Sequence, residues 1–244
     1  MFSLQQQIAI DIGTTNIRLC VPKKGLVINE PAVVAVNKST NQIMAIGEEA
    51  NNMLGKTPYD IMAAKPLKNG VIANYRITEA IIKYYTDKIL PNIRLIGPEI
   101  MVSVPAGITS TERRAIIDAT KSVGTSNVYI IKAPLAAALG AGIAIAEPHG
   151  NMVIDIGGGT SEIAVISLGN IVSSNSIRIG GDAMDLAIID YIRKKYNLSV
   201  GEKTAEKIKT TIGAIVPQVD FSSIEVSGNN TISELPEIIT IKTE

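Results

Sequence analysis

The chain has 244 residues, 46% of them hydrophobic, enough to bury a substantial core in one large or two small domains. Its 23 basic and 23 acidic residues cancel, so the electrostatic footprint of a nucleic-acid-binding protein is missing. His149 is the only histidine and cannot build a zinc site; Cys20, the only cysteine, sits in a strand-like run and reads as a small buried apolar residue in a reducing, cytoplasmic setting.

Met1 to Gln7 lacks the basic and apolar regions of a secretory signal. Met1, Phe2 and Leu4 are candidates for dipping into a membrane surface, although a frayed terminus explains them equally. From Ile8 to Val21 the run IAIDIGTTNIRLCV predicts a strand, an Asp-Ile-Gly turn and a return strand. Gly25 to Asn37 continues with strand segments around Asn29, Glu30 and Pro31, and NQIMAIGEEANNMLGK moves from a strand into a short helix ending near Gly55. AAKPLKNGVIANY, punctuated by proline and glycine, predicts a loop. The stretch of about 30–75 has the character of an insertion.

Thr78 to Leu90 has helical spacing, with Ile81, Ile82, Tyr85 and Ile89 on one face. EIMVSVPAG gives a buried strand ending at Pro105. Thr109 and Glu112 have capping-box spacing ahead of Ile116, Ala119 and Val123, and Gly124 stops that helix. VYIIKAP is a further strand. The uncharged run Ala133 to Ala146 is too short to cross a bilayer and predicts a buried, alanine-rich helix with Pro134 in its first turn. Strand, helix, strand and helix after an antiparallel group point to an α/β fold, a mixed sheet with helices on its faces.

A second region begins near Gly150. MVIDIGGGTSEIAVI repeats the apolar run, the Asp-Ile-Gly turn at Asp155 and the return strand, and NIVSSNSIRI adds another strand. Asp182 is placed to cap a helix with Asp185 early and Arg193, Lys194 and Lys195 late, an order that suits the helix dipole. Ser199 and Glu202 have capping-box spacing before a helix carrying Glu206 and Lys209. Val219 to Glu244 predicts short strands with a loop at Gly228, Asn229 and Asn230.

Three consecutive glycines after a strand let backbone N–H groups approach a phosphate chain. A single cluster of this kind is explained equally well by a tight hairpin turn. The second copy, at Asp11, divides the chain into two related halves, 1–148 and 149–244, each presenting an aspartate-led glycine turn to a nucleotide's phosphates. Asp11 and Asp155 are the candidate carboxylates for a hydrated Mg²⁺.

DIGTTN, NEPAVVAV, MLGKTP, KPLKNGVIA, ERRAI at Glu112, DIGGGTSE, IRIGGD at Ile177 and GEKTAEKIK together resemble the MreB family of bacterial actin homologues, in order along nearly the whole chain. Heat-shock chaperone ATPases, sugar kinases and actin share the two phosphate turns but not this set of phrases. The resemblance implies an actin-like (ribonuclease H-like) fold of duplicated mixed sheets with ATP and Mg²⁺ between the halves. It also implies self-association into filaments at the inner face of the cell membrane, which maintain rod shape and guide the cell-wall elongation machinery. Gly13, Thr14, Thr15 and Asn16 would form the first phosphate loop, and Gly157, Gly158, Gly159 and Thr160 the second. Glu206 and Lys209 match the ribose-holding positions of this superfamily; from spacing alone they read as a surface salt bridge.

Two departures stand out. The MreB pattern Glu-Glu-Pro, whose second Glu helps to position the attacking water, is here Lys132, Ala133 and Pro134. A methyl group accepts no hydrogen bond from water, which implies slow or absent hydrolysis although Thr160, the other expected partner of the water, is present. The family's later glycine-rich adenine loop and final helix are also missing, and the inserted part of the second half, about 181–244, closes the sequence. A gene fragment, a shortened paralogue completed by a partner and a self-contained binding module each account for that. The function expected is an ATP-binding cytoskeletal polymer; the alternative is a non-hydrolysing protein that modulates filaments of a full-length relative. Membrane contact is expected, if anywhere, at the N-terminus and around Leu90, Ile93 and Leu95.

Overall fold

Period-two alternation builds the first sheet. In β1 (Gln7–Ile12) every second side chain, Ile8, Ile10 and Ile12, is buried, and in β2 (Asn16–Val21) Ile17 and Leu19 are. The computed structural model describes residues 6–54, 59–68, 71–72, 74–90, 97–216 and 222–243. It divides into two units, Met1–Arg178 and Ile179–Glu244.

In the first unit β3 (Gly25–Pro31), β4 (Val34–Asn37) and β5 (Ile43–Ile46) precede the short α1 (Glu48–Met53), then β6 (Ile61–Ala64), β7 (Leu67–Lys68) and β8 (Val71–Ile72). Then come α2 (Tyr75–Ile89), β9 (Glu99–Val104), α3 (Ser110–Lys121), β10 (Asn127–Lys132) and α4 (Ala133–Gly140). β11 (Asn151–Ile156), β12 (Ser161–Ser167) and β13 (Asn170–Ile177) complete it.

The main sheet has the order β10-β9-β1-β2-β3, parallel from β10 to β1 and antiparallel beyond. β11-β12-β13 form a separate antiparallel sheet, and β5-β4-β6 another. One core joins Ile8, Ile10 and Ile12 to Ile100, Val102 and Val104 of β9, to Ile81, Ile82 and Tyr85 of α2, and to Ile116 and Ala119 of α3. Each such aliphatic side chain contributes about 1.5–3 kcal/mol by leaving water.

The second unit comprises α5 (Gly181–Tyr196), β14 (Leu198–Ser199), α6 (Glu202–Ile212), β15 (Ser223–Asn230) and β16 (Pro236–Lys242), with sheet order β14-β15-β16. Its core is Ile192, Leu198, Ile208, Ile212, Val226 and Ile241.

Several local expectations change. Cys20 is exposed, because the alternation that turns Leu19 inward turns Arg18 and Cys20 outward. AAKPLKNGVIANY contains parts of β6, β7 and β8 rather than a continuous loop. α2 begins at Tyr75, three residues before Thr78, because Asn74 caps it by accepting the Ile77 N–H at 3.2 Å. Only Pro134 and Ala138 of α4 are buried, so this helix is covered on one side. Leu90 belongs to the core and is not a membrane contact; Ile93 and Leu95, like Met1, Phe2 and Leu4, lie outside the described residues.

Three expectations in the second unit are likewise corrected. Gly180 stands at the N-cap of α5 and its carbonyl accepts from Ala183 and Met184, so Asp182 falls within the first turn. Ser199 is paired with Asn229 in the sheet, leaving Gly201 as the N-cap of α6. Gly228 lies within β15: a Cβ there would come within 2.5 Å of the Ser199 carbonyl oxygen. The turn falls at 231–235, where Asn230 Oδ1 accepts from Ile232 and Ser233 N–H.

Candidate functional site

Both glycine turns close in the same way. Gly13 N–H donates to the Asn16 carbonyl at 2.9 Å, and Gly157 N–H to the Thr160 carbonyl at 2.8 Å. Gly13, Thr14, Thr15 and Asn16 thus form the bend between β1 and β2, and Gly157, Gly158, Gly159 and Thr160 the bend between β11 and β12.

The two bends meet within the first unit. A Cβ on Gly158 would lie 1.9 Å from Thr15 Oγ1 and 3.1 Å from Thr15 Cβ, so this approach requires glycine. Thr15 is held in turn by the Ala32 N–H, which donates to its carbonyl at 2.8 Å.

Asp11 and Asp155 occupy the same place in the two hairpins, and what stands opposite them differs in charge. Asp11 faces Arg18, whose Nη1 lies 3.3 Å from Asp11 Oδ2, and Ser103 Oγ donates to Asp11 Oδ1. Asp155 faces Glu162, which is buried, with Oε1 accepting the Ala106 N–H at 2.8 Å. The Ala106 carbonyl accepts from Lys132 Nζ at 3.2 Å. β9 and the residues just after it therefore reach the first hairpin through Ser103 and the second through Ala106.

Sequence reasoning passed over Arg18, Ser103, Ala106 and Glu162. Glu162 was the findable one, since it shares a strand face with Ala164 and Ile166. The partnership with Ala106 is a tertiary event.

Ala133 is the first residue of α4, directly after Lys132 at its N-cap. Glu206 and Lys209 lie on α6 in the second unit. Lys209 Nζ is 2.8 Å from Asp185 Oδ1 and donates to the Gly181 carbonyl at 3.2 Å, fastening α6 to the start of α5. Glu206 is exposed, and its backbone carbonyl accepts from Thr210 Oγ1.

The donor set suits a magnesium-bound phosphate chain. Mg²⁺ takes one or two carboxylates and fills its shell with water and phosphate oxygens. The chain offers two aspartates beside glycine turns where Cβ atoms would intrude. Among the described residues no three His, Cys, Asp or Glu side chains cluster.

The expected duplication extends to the hairpins and not to whole mixed sheets, since the first hairpin lies in a mixed five-stranded sheet and the second in an antiparallel three-stranded one; paired Asp-Gly hairpins with flanking helices define an actin-like protein. The family model described as MreB/Mbl protein matches residues 5–244. The cell shape-determining protein Mbl of Bacillus cereus is 44% identical over 239 residues, covering 98% of this chain and 72% of that protein. The structure of MreB5 of Spiroplasma citri bound to AMPPNP superimposes with a TM-score of 0.93 at 37% identity, over 99% of this chain and 72% of that one. The MamK double helical filament, at 16% identity and a TM-score of 0.79 over 97% of this chain and 72% of that one, shares the fold. The chain belongs to the MreB/Mbl family of actin-like, cell shape-determining proteins. No helix among the described residues is long and apolar enough to cross a membrane.

Proposed function

We propose that the chain binds ATP with Mg²⁺ through its two glycine turns and self-associates into filaments at the inner face of the cell membrane, supporting rod shape and cell-wall elongation. The observation that carries this reading is the contact of Gly158 with Thr15, which sets the two equivalent turns against each other. The AMPPNP held by the related MreB5 supports the choice of ligand class.

In this reading Gly13, Thr14, Thr15 and Asn16 hold one side of the phosphate chain, and Gly157, Gly158, Gly159 and Thr160 the other, with backbone amides as donors. Asp11 and Asp155 hold Mg²⁺ through its waters. When bound, the ion offsets phosphate charge and supports phosphoryl transfer. Glu206 and Lys209 serve the ribose, Lys209 giving up part of its bond to Asp185 and Gly181. The halves 1–148 and 149–244 are the evolutionary repeats.

Hydrolysis is slow, because Ala133 supplies no acceptor for the attacking water where the family pattern has Glu. Ala133 also favours a second reading, a non-hydrolysing protein that modulates filaments of a full-length relative.

A thermal melt with and without MgATP tests the binding claim. A cooperative transition that rises with ligand is expected, by linkage of the ligand to the native state; an unmoved transition refutes it. Concentration-dependent pelleting of the chain alone in MgATP supports the polymer, and pelleting only with a full-length relative supports the second reading.

A further inference from the structure

Alternation along β1, β2 and β9 places Asp11, Arg18 and Ser103 together on the face of the main sheet turned away from its core. Asp11 stands just before Gly13, and Arg18 just after Asn16, whose carbonyl closes that turn. The guanidinium therefore sits at the base of the first glycine turn. The equivalent place in the second hairpin is held by Glu162, buried and turned to the Ala106 N–H. One hairpin offers a cation where the other offers an anion.

Both oxygens of Asp11 are in use: Oδ1 accepts from Ser103 Oγ, and Oδ2 meets Arg18 Nη1 at 3.3 Å. Arg18 thus stands on a carboxylate oxygen that the waters of Mg²⁺ would also seek. The pair is easily parted. Its contact is longer than a charge-assisted bond usually is, and its side chains are 47% and 41% exposed, where ion pairs add little stability. A guanidinium so placed meets a phosphate chain with a planar fork of donors and a charge it does not lose.

Resting on the nucleotide reading above, we propose that Arg18 is a phosphate-binding residue of the site. As a nucleotide settles on the glycine turns, the guanidinium moves from Asp11 to the phosphate chain and leaves Asp11 Oδ2 to the waters of Mg²⁺. The side chain holds phosphate with or without the ion, so nucleotide binding depends on Mg²⁺ only in part.

The test titrates the full chain with a fluorescent ATP analogue, competed by inorganic tripolyphosphate, in Mg²⁺ and in EDTA. The native chain should keep measurable affinity in EDTA, and Arg18→Leu should lose at least about tenfold there, the effect of one hydrogen bond to a charged group. The loss should be smaller in Mg²⁺, where the ion shares the phosphate charge. Arg18→Lys, which keeps the cation, should recover most of it. Asp11→Asn releases the guanidinium and should raise the affinity for tripolyphosphate in EDTA. That gain should disappear when Arg18→Leu is added, whereas a general effect of charge would survive the second change. Melts of each variant check the fold; where Arg18→Leu melts early, Arg18→Gln set against Arg18→Lys makes the same comparison. Equal affinity of the native chain and Arg18→Leu in EDTA overturns the proposal, as does a native chain that binds only in Mg²⁺, and both results leave the nucleotide reading standing. Absence of binding in Mg²⁺ as well refutes that reading and the proposal with it.

Discussion

Glu162 accepts the Ala106 N–H at 2.8 Å, tying the strand that follows the second glycine turn to the residues that follow β9. Removing the acceptor leaves a backbone donor without its partner, a loss of about 1–3 kcal/mol. Glu162→Ala should lower the melting temperature, and Glu162→Gln, which retains a carbonyl oxygen, should recover most of the loss. Equal destabilisation by both substitutions would show that charge rather than the hydrogen bond matters there.

Gly158 has no room for a side chain beside Thr15. Gly158→Val should push the two turns apart and weaken binding of a fluorescent ATP analogue by roughly tenfold or more, as expected where a few close contacts carry the affinity. Gly140→Ala is the control: nothing lies within 4 Å of a Cβ at that position, and alanine is the better helix former by about 1 kcal/mol. Titration of both variants checks the contrast.

Restoring an acceptor at the start of α4 should restore chemistry. Ala133→Glu is expected to accelerate single-turnover phosphate release by on the order of 10²-fold, the lower end of what a positioned acid or base supplies. A native chain that already releases phosphate at the variant's rate would sink the account of slow hydrolysis.

The capping box of α3 makes stability depend on pH. The Thr109 backbone N–H first, then the Thr109 hydroxyl and Arg178, hold the Glu112 carboxyl below its ordinary value against the opposing effect of burial. A depressed folded-state pKa means that the stabilisation is complete above the unfolded value and is lost as pH falls through the folded one. Glu112→Gln keeps a carbonyl oxygen for the Thr109 N–H but loses the charge that faces Arg178 and the helix N-terminus, so it should cost about 0.5 kcal/mol at pH 7. The cost should vanish in acid below the folded pKa, and paired melts at neutral and strongly acidic pH read the difference.

Lys209 serves the second unit as well as any ligand. Lys209→Met leaves the buried Asp185 carboxylate without its cation, a change costing about 3 kcal/mol where such pairs are well buried. Faster hydrogen exchange in α5 and α6 should report it. Unchanged exchange would mean that Lys209 is held in reserve for a ligand alone.

What was legible in the sequence was local or repeated. The two Asp-Ile-Gly turns, the capping box at Thr109 and the strands β1 and β9 each arise from neighbouring residues, so the chain alone displayed them. Caps proposed from spacing at Asp182 and Ser199 failed because Gly180 and the pairing of Ser199 with Asn229 had prior claim on those backbone positions. Cys20 went astray because the composition of a strand does not say which of its faces is covered.

By itself the sequence determined the duplicated hairpin and the glycines at both turns, which follow from residue type at fixed spacing, and it carried the phrases whose resemblance pointed to the MreB family. Only the tertiary structure decided that Gly158 meets Thr15, that Ala106 is gripped by Glu162 and Lys132, and that Ile154 lies open while its counterpart Ile10 is sealed. Two copies of one local pattern share their backbone hydrogen bonds but not their surroundings. Burial belongs to the surroundings, because it is set by whichever distant segment packs against the face.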